Sequence, residues 1–178
     1  METGAAFIAQ SREYLTRHYL PKIVAAVSGL SDADLWWRPN EASNSIGNLM
    51  LHLSGNLRQW IVSGLGGQRD VRERALEFAR RDPLPRTELI ARISDTVREA
   101  DAVLAGLAPA ALAERRLIQG REVNVLEAIY HVVEHFSMHV GQIAYVAKLR
   151  SAHDLGFYRM EDGIPQAAWP GHPESGSA

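Results

Sequence analysis

Apolar residues recur every third or fourth position along VLEAIYHVVEHFSMHVGQI: Leu126, Ile129, Val133, Phe136, Val140 and Ile143. That spacing follows the 3.6-residue period of an α-helix with one buried side, and a strand would scatter the same residues over both its faces. Ahead of it, Asn124 and Glu127 stand three apart as a capping box, with Asn in place of Ser or Thr. The spacing therefore predicts a helix from residue 124 to about residue 150.

Three other segments share the period. The first covers about residues 5–27, with Phe7, Ile8, Leu15, Tyr19, Ile23 and Val27 on one side; Pro21 within it should kink or divide the helix. The second opens near Ser43 or Asn44, either a good N-cap, and stops at SGLGG. The third spans about residues 87–107, with Leu89, Ile90, Ile93, Val97, Leu104 and Leu107 inward. LAERRLIQGREVNV reads as a short extended excursion turning at Gly120. Trp36 and Trp37, in the connection before the second helix, should fold back over the core. The expected architecture is all-α, a four-helix bundle with long inter-helix connections over residues 1–150. Residues 151–178, rich in Gly and Pro, should form an irregular tail packed on the bundle or trailing from it.

Composition narrows the function classes. With 178 residues the chain is long enough to bury its own core. Its formal net charge of −2 offers no electrostatic footprint for nucleic acid. The arginines of residues 69–86 are interrupted by acidic residues and read as a solvated loop and helix face. There is no cysteine, so a thiolate metal site or a nucleophilic thiol of the chain's own is excluded. The N-terminal stretch lacks a basic region followed by an apolar run, and no segment approaches the apolar length of a membrane span. A cytoplasmic protein with no membrane partner is the expectation.

The histidines are placed less evenly. His131, His135 and His139 follow at i+4 steps, and Gln142 continues their side of the helix. This stripe flanks the apolar one, a position suited to a cleft between helices. The second helix repeats the pattern with Asn44, Asn48, His52 and Asn56 beside Ile46, Leu49, Leu53, Leu57 and Trp60. If the two helices are neighbours, His52 meets His135 and His139. Three neutral imidazoles form an open divalent-metal site whose fourth position is left for water or substrate. Without sulfur, the set suits zinc, nickel or iron. The outer ring nitrogens would need carboxylate or amide partners, and Asn48, Asn56, Glu134 and Gln142 are the candidates. The alternative reading is a polar seam of hydrogen-bonded histidines and asparagines.

NSIGNLMLHLSGNLRQW and HVVEHFSMHVGQI together resemble the second-helix histidine and the terminal His–x3–His–x–Gly-Gln-Ile motif of the DinB/YfiT-like superfamily. LSDADLWWRPNEASNS is similar to that family's entry into its second helix, and the order of features matches over about residues 5–150. The resemblance implies a four-helix bundle of up-down-down-up type, commonly a homodimer, with a divalent metal held by three histidines. Carried over, the ligands are His52, His135 and His139, with zinc or nickel foremost. His131 matches no ligand position and is expected, with Asn48, Asn56 and Gln142, in the pocket or behind the ligands.

Members of that superfamily include metal-dependent transferases and isomerases that use low-molecular-weight thiols. The resulting expectation is a metal-dependent enzyme acting on a small-molecule substrate, an S-transferase using an external thiol or a hydrolase. The competing expectations are a non-catalytic stress-response protein with a structural metal, and a metal-free helical bundle.

Overall fold

A computed structural model describes residues 3–172. Helix α1 (Thr3–Glu13) runs through a π-helical stretch (Tyr14–Tyr19) directly into α2 (Leu20–Ser28). Pro21 therefore does not divide this helix. The preceding turns widen to i→i+5 pairing, with the Leu20 N–H donating to the Leu15 carbonyl, and a wider turn makes room for the ring. The carbonyl of Arg17, four residues before Pro21, would have no partner in an ordinary α-helix. It accepts the indole N–H of Trp169 at 2.8 Å.

After the short α3 (Asp32–Leu35) comes α4 (Ile46–Leu57), whose cap falls one residue after Asn44 and two after Ser43, the expected positions. Ser45 is the N-cap and forms a capping box with Asn48. A second π-helical stretch (Arg58–Ser63) extends α4. Then follow α5 (Arg74–Ala79), α6 (Arg86–Ala105), a 3-10 turn (Pro109–Ala113) and the hairpin β1 (Arg115–Ile118)–β2 (Arg121–Asn124). The hairpin turns through Gln119 and Gly120, both left-handed (φ 53° and 73°), and feeds α7 (Val125–Ser151). The Asn124–Glu127 capping box closes as expected, at 2.8 and 2.7 Å.

α4 packs against α5, α6 and α7, and the first long helix lies beside α6 and α7. Fully buried Ile23, Leu53, Leu57, Ile93, Leu104 and Phe136 join these helices in one core. Trp36 packs against that core and donates to the Leu84 carbonyl at 3.1 Å, while Trp37 lies under the Arg150 guanidinium.

The protein is mostly helical, and two small antiparallel sheets correct the all-α expectation. One is the β1–β2 excursion. The other, β3 (Tyr158–Glu161) with β4 (Ile164–Ala167), lies in the tail expected to be irregular. The chain leaves the hairpin to bury Trp169 against the first helix, which gives this segment a fixed seat. Residues 173–178 of the expected tail lie outside the described residues.

Candidate metal centre

Three side chains from two helices converge. The Nε2 of His135 lies 3.0 Å from that of His52 and 3.1 Å from that of His139, and one nitrogen from each of the three lies within 4.8 Å of the others. His52 and His139 are buried and His135 partly so. The i+4 spacing on α7 supplies His135 and His139, and the packing of α4 on α7 brings His52 across.

The outer nitrogens decide which way the lone pairs face. His139 Nδ1 donates to Gln142 Oε1 at 2.7 Å. His52 Nδ1 lies 2.9 Å from Glu77 Oε2 and 3.1 Å from an Arg72 Nη that already donates to the same carboxylate oxygen at 2.8 Å. An unprotonated Nδ1 would set a lone pair against that carboxylate, so His52 Nδ1 carries the hydrogen and donates to Glu77. Both Nε2 atoms therefore present lone pairs inward, toward His135 Nε2, whose single hydrogen can answer only one of them fully. A divalent cation answers all three. Zn–N bonds of about 2.0–2.1 Å in a tetrahedral site set their nitrogens about 3.3 Å apart, near the spacing of the two close pairs. The three-histidine group thus fits a metal ion.

Burial favours the neutral form of His135 and His139. It pushes the His135 imidazole down to about 3, with the charges of His139, His52 and His131 adding to the effect. It lowers His139 as well, against the opposing hydrogen bond to Gln142. Burial acts on the Glu77 carboxyl in the raising direction, but hydrogen bonds from Arg72 and His52 outweigh it and hold the group below the usual carboxylate range. Neutral imidazoles and an ionised carboxylate behind one of them are the protonation states that metal ligation requires.

Residues 69–86 are mostly exposed, as expected of a solvated face, and Arg72 and Glu77 are exceptions. Arg72 is 4% exposed and grips both oxygens of Glu77, 11% exposed, at 2.7 and 2.8 Å. Phe78, from the same α5, packs its ring 4.5 Å from that of His52. The segment reaches α4 because Gly55 leaves it space. Gly55 follows His52 by three residues, and its missing side chain is where the Glu77 carboxylate lies. A glycine inside a strongly periodic helix, on its polar side, was the available sequence signal.

The remaining candidates separate. Gln142 supports His139, as just described. Asn48 does not touch the histidines: its amide donates to the carbonyls of Glu77 and Arg80 at 2.7 and 3.2 Å, so it anchors the segment that carries Glu77. Asn56 lies 3.4 Å from His131 Nε2, and His131 packs on Trp60, with ring centroids 4.2 Å apart. These three residues, with His52 and His135, line a pocket of about 420 Å³ that reaches the cluster from outside. Glu134 makes no hydrogen bond to a histidine.

A sequence family described as "Protein of unknown function (DUF1572)" matches residues 2–160. The chain belongs to this family. No curated protein matches it. In this DUF1572 member, all three histidines and both outer-nitrogen partners fall within the matched residues.

Proposed function

We propose that this DUF1572 protein is a divalent-metal-dependent enzyme acting on a small molecule, with His52, His135 and His139 as ligands and zinc or nickel as the metal. One observation carries the reading: three inward-facing imidazole nitrogens, two backed by Glu77 and Gln142, lie beside a pocket that reaches the same side chains. A purely structural clip has no need of such a pocket, so the catalytic reading is favoured over the structural one.

A divalent cation held there would supply Lewis-acid chemistry, acidifying a thiol or a water brought to it. The chain's residues account for the remaining parts. Glu77 fixes the His52 ring, and Gln142 fixes that of His139. His131 faces the pocket with its imidazole lowered chiefly by burial, so near pH 7 it is neutral and able to take a proton. Since the chain has no cysteine, a transferred thiol must come from an external low-molecular-weight thiol; hydrolysis is the alternative reaction.

Elemental analysis of untagged protein purified without chelator tests the reading. About one transition-metal ion per chain is expected, lost in His52→Ala and in His135→Ala. A metal-free wild type, even after reconstitution with several divalent ions, would overturn it, and a marked fall in melting temperature on chelation would favour the structural role.

The DinB/YfiT-like resemblance is part of the same proposal. The neighbour relations of the four long helical segments support a four-helix bundle of that type over residues 1–150. No helix of the described residues is long and apolar enough to cross a membrane, which accords with a cytoplasmic setting. A homodimer is proposed by the same resemblance, and Tyr130, Met138 and Tyr145, exposed along one side of α7, are its candidate face. Light scattering should give twice the chain mass, falling to one for Tyr145→Glu.

A further inference from the structure

The pocket beside the histidines has nine lining residues, among them Arg72, Arg74 and Arg121 and not one carboxylate. A net charge of −2 shows that this is a local arrangement rather than a reflection of the whole chain.

The three arginines differ in their commitments. Arg72 is held by Glu77 and Gln59. Arg74 and Arg121 have no ion-pair partner among the described residues, whereas Arg12 pairs with Asp101, Arg58 with Glu99 and Arg150 with Asp34. The Arg74 guanidinium lies 5.0 Å from the centre of the Phe78 ring, the ring that packs on His52. Arg121 opens β2, directly after the left-handed Gln119–Gly120 turn. That turn is tied to the extension of α4 by the Gln119 amide, which donates to Gln59 Oε1 at 2.6 Å. Two elements distant in sequence thus bring unpaired cations to the same pocket.

Arg74 and Arg121, lining one pocket without an ion-pair partner among the described residues, repel one another, and an anionic ligand relieves that repulsion.

We propose that the pocket takes a small organic anion, whose carboxylate or phosphate oxygens are held by Arg74 and Arg121 while another donor of the same molecule faces His52 and His135. The inner half of this statement rests on the metal reading above; the outer half stands on the arginines alone. A volume of about 420 Å³ suits a metabolite-sized molecule.

The test uses the full chain with glutarate, inorganic phosphate and the neutral isostere glutaramide as probes. Arginine Nε–Hε resonances are followed in chelated protein, and the visible absorption of the metal in cobalt(II)-loaded protein. Glutarate or phosphate should shift the arginine resonances and perturb the cobalt spectrum, with glutaramide at least tenfold weaker. The stronger of the two anions identifies the oxyanion preferred. Arg74→Gln combined with Arg121→Gln should weaken anion binding at least tenfold and leave cobalt stoichiometry unchanged. Equal binding of glutaramide, no arginine shift with either anion, or wild-type affinity in the double variant would overturn the proposal. Cobalt binding without arginine-dependent anion binding would sink this proposal alone; arginine-dependent anion binding without cobalt binding would sink the metal reading and leave the anion site standing.

Discussion

Gly55 lies against the Glu77 carboxylate so closely that a Cβ on Gly55 would overlap Glu77 Oε1. Glycine here is required by a neighbour rather than by backbone conformation. Inside a helix, replacing Gly by Ala should by itself stabilise by about 1 kcal/mol. Because the carboxylate occupies the space, Gly55→Ala should instead destabilise, and it should move Glu77 away from His52. Loss of a partner behind a metal-binding histidine typically weakens metal affinity by about 10–100-fold. Denaturant unfolding and a competitive metal titration check both effects. A stabilised variant with wild-type affinity would show that Glu77 is dispensable to the ligand geometry.

Asn48 tests the same support from the other side. It closes the α4 capping box and hydrogen-bonds the carbonyls of Glu77 and Arg80 while fully buried. Asn48→Ala leaves the Ser45 cap but removes the reciprocal acceptor for the Ser45 N–H and leaves the Glu77 carbonyl without its amide donor, a loss of about 2 kcal/mol. Metal affinity should fall with it, because α5 then holds Glu77 less firmly. A thermal melt beside the metal titration reads both, and a loss of stability with unchanged affinity would confine Asn48 to capping.

These two residues show what the sequence could and could not convey. The three ligand candidates were legible because each repeats at the helical period beside an apolar stripe, so one wheel orients both stripes. Gln142 was legible for the same reason. Arg72 and Glu77 were not: they sit in an arginine-rich stretch with no sustained period, where exposed and buried charges look alike. Their burial follows from a long-range contact between α5 and α4. The β3–β4 hairpin was missed for a related reason. Tyr158–Glu161 is exposed along its whole length, so no alternation of apolar and polar residues marks it. By contrast the Asn124–Glu127 box is purely local and formed as expected.

Acid should destabilise the chelated protein well above the range where carboxylates titrate. In the folded chain His135 is held down to about 3, first by burial and then by its histidine neighbours, while an unfolded histidine titrates near 6.5. Between those values the unfolded state binds more protons, so stability is fully present above about pH 6.5 and is lost as pH falls toward 3. From pH 7 to pH 5 the loss from His135 alone is about 2 kcal/mol. Glu77, lowered rather than raised, stays ionised across this window. Urea unfolding at pH 7, 6 and 5 should show the decline, and His135→Leu should flatten it. An equal slope in that variant would assign the effect elsewhere.

The tail offers a test that is independent of the metal. Trp169 is 3% exposed, and its indole N–H supplies the hydrogen bond that the Arg17 carbonyl would lack for want of a Pro21 N–H. Its ring also lies under the Lys22 ammonium, 3.7 Å from the ring centre. Trp169→Phe keeps an aromatic surface for Lys22 but removes the donor, and a poorly solvated carbonyl left unpaired costs about 1–3 kcal/mol. Pro21→Ala restores a backbone N–H four residues after Arg17, so the combined variant should regain part of that loss. Coupling between the two substitutions in a double-mutant cycle would establish that the tail compensates for the proline. Strict additivity would mean that Trp169 contributes only its buried ring, and that the widened π-helical turn accommodates Pro21 unaided.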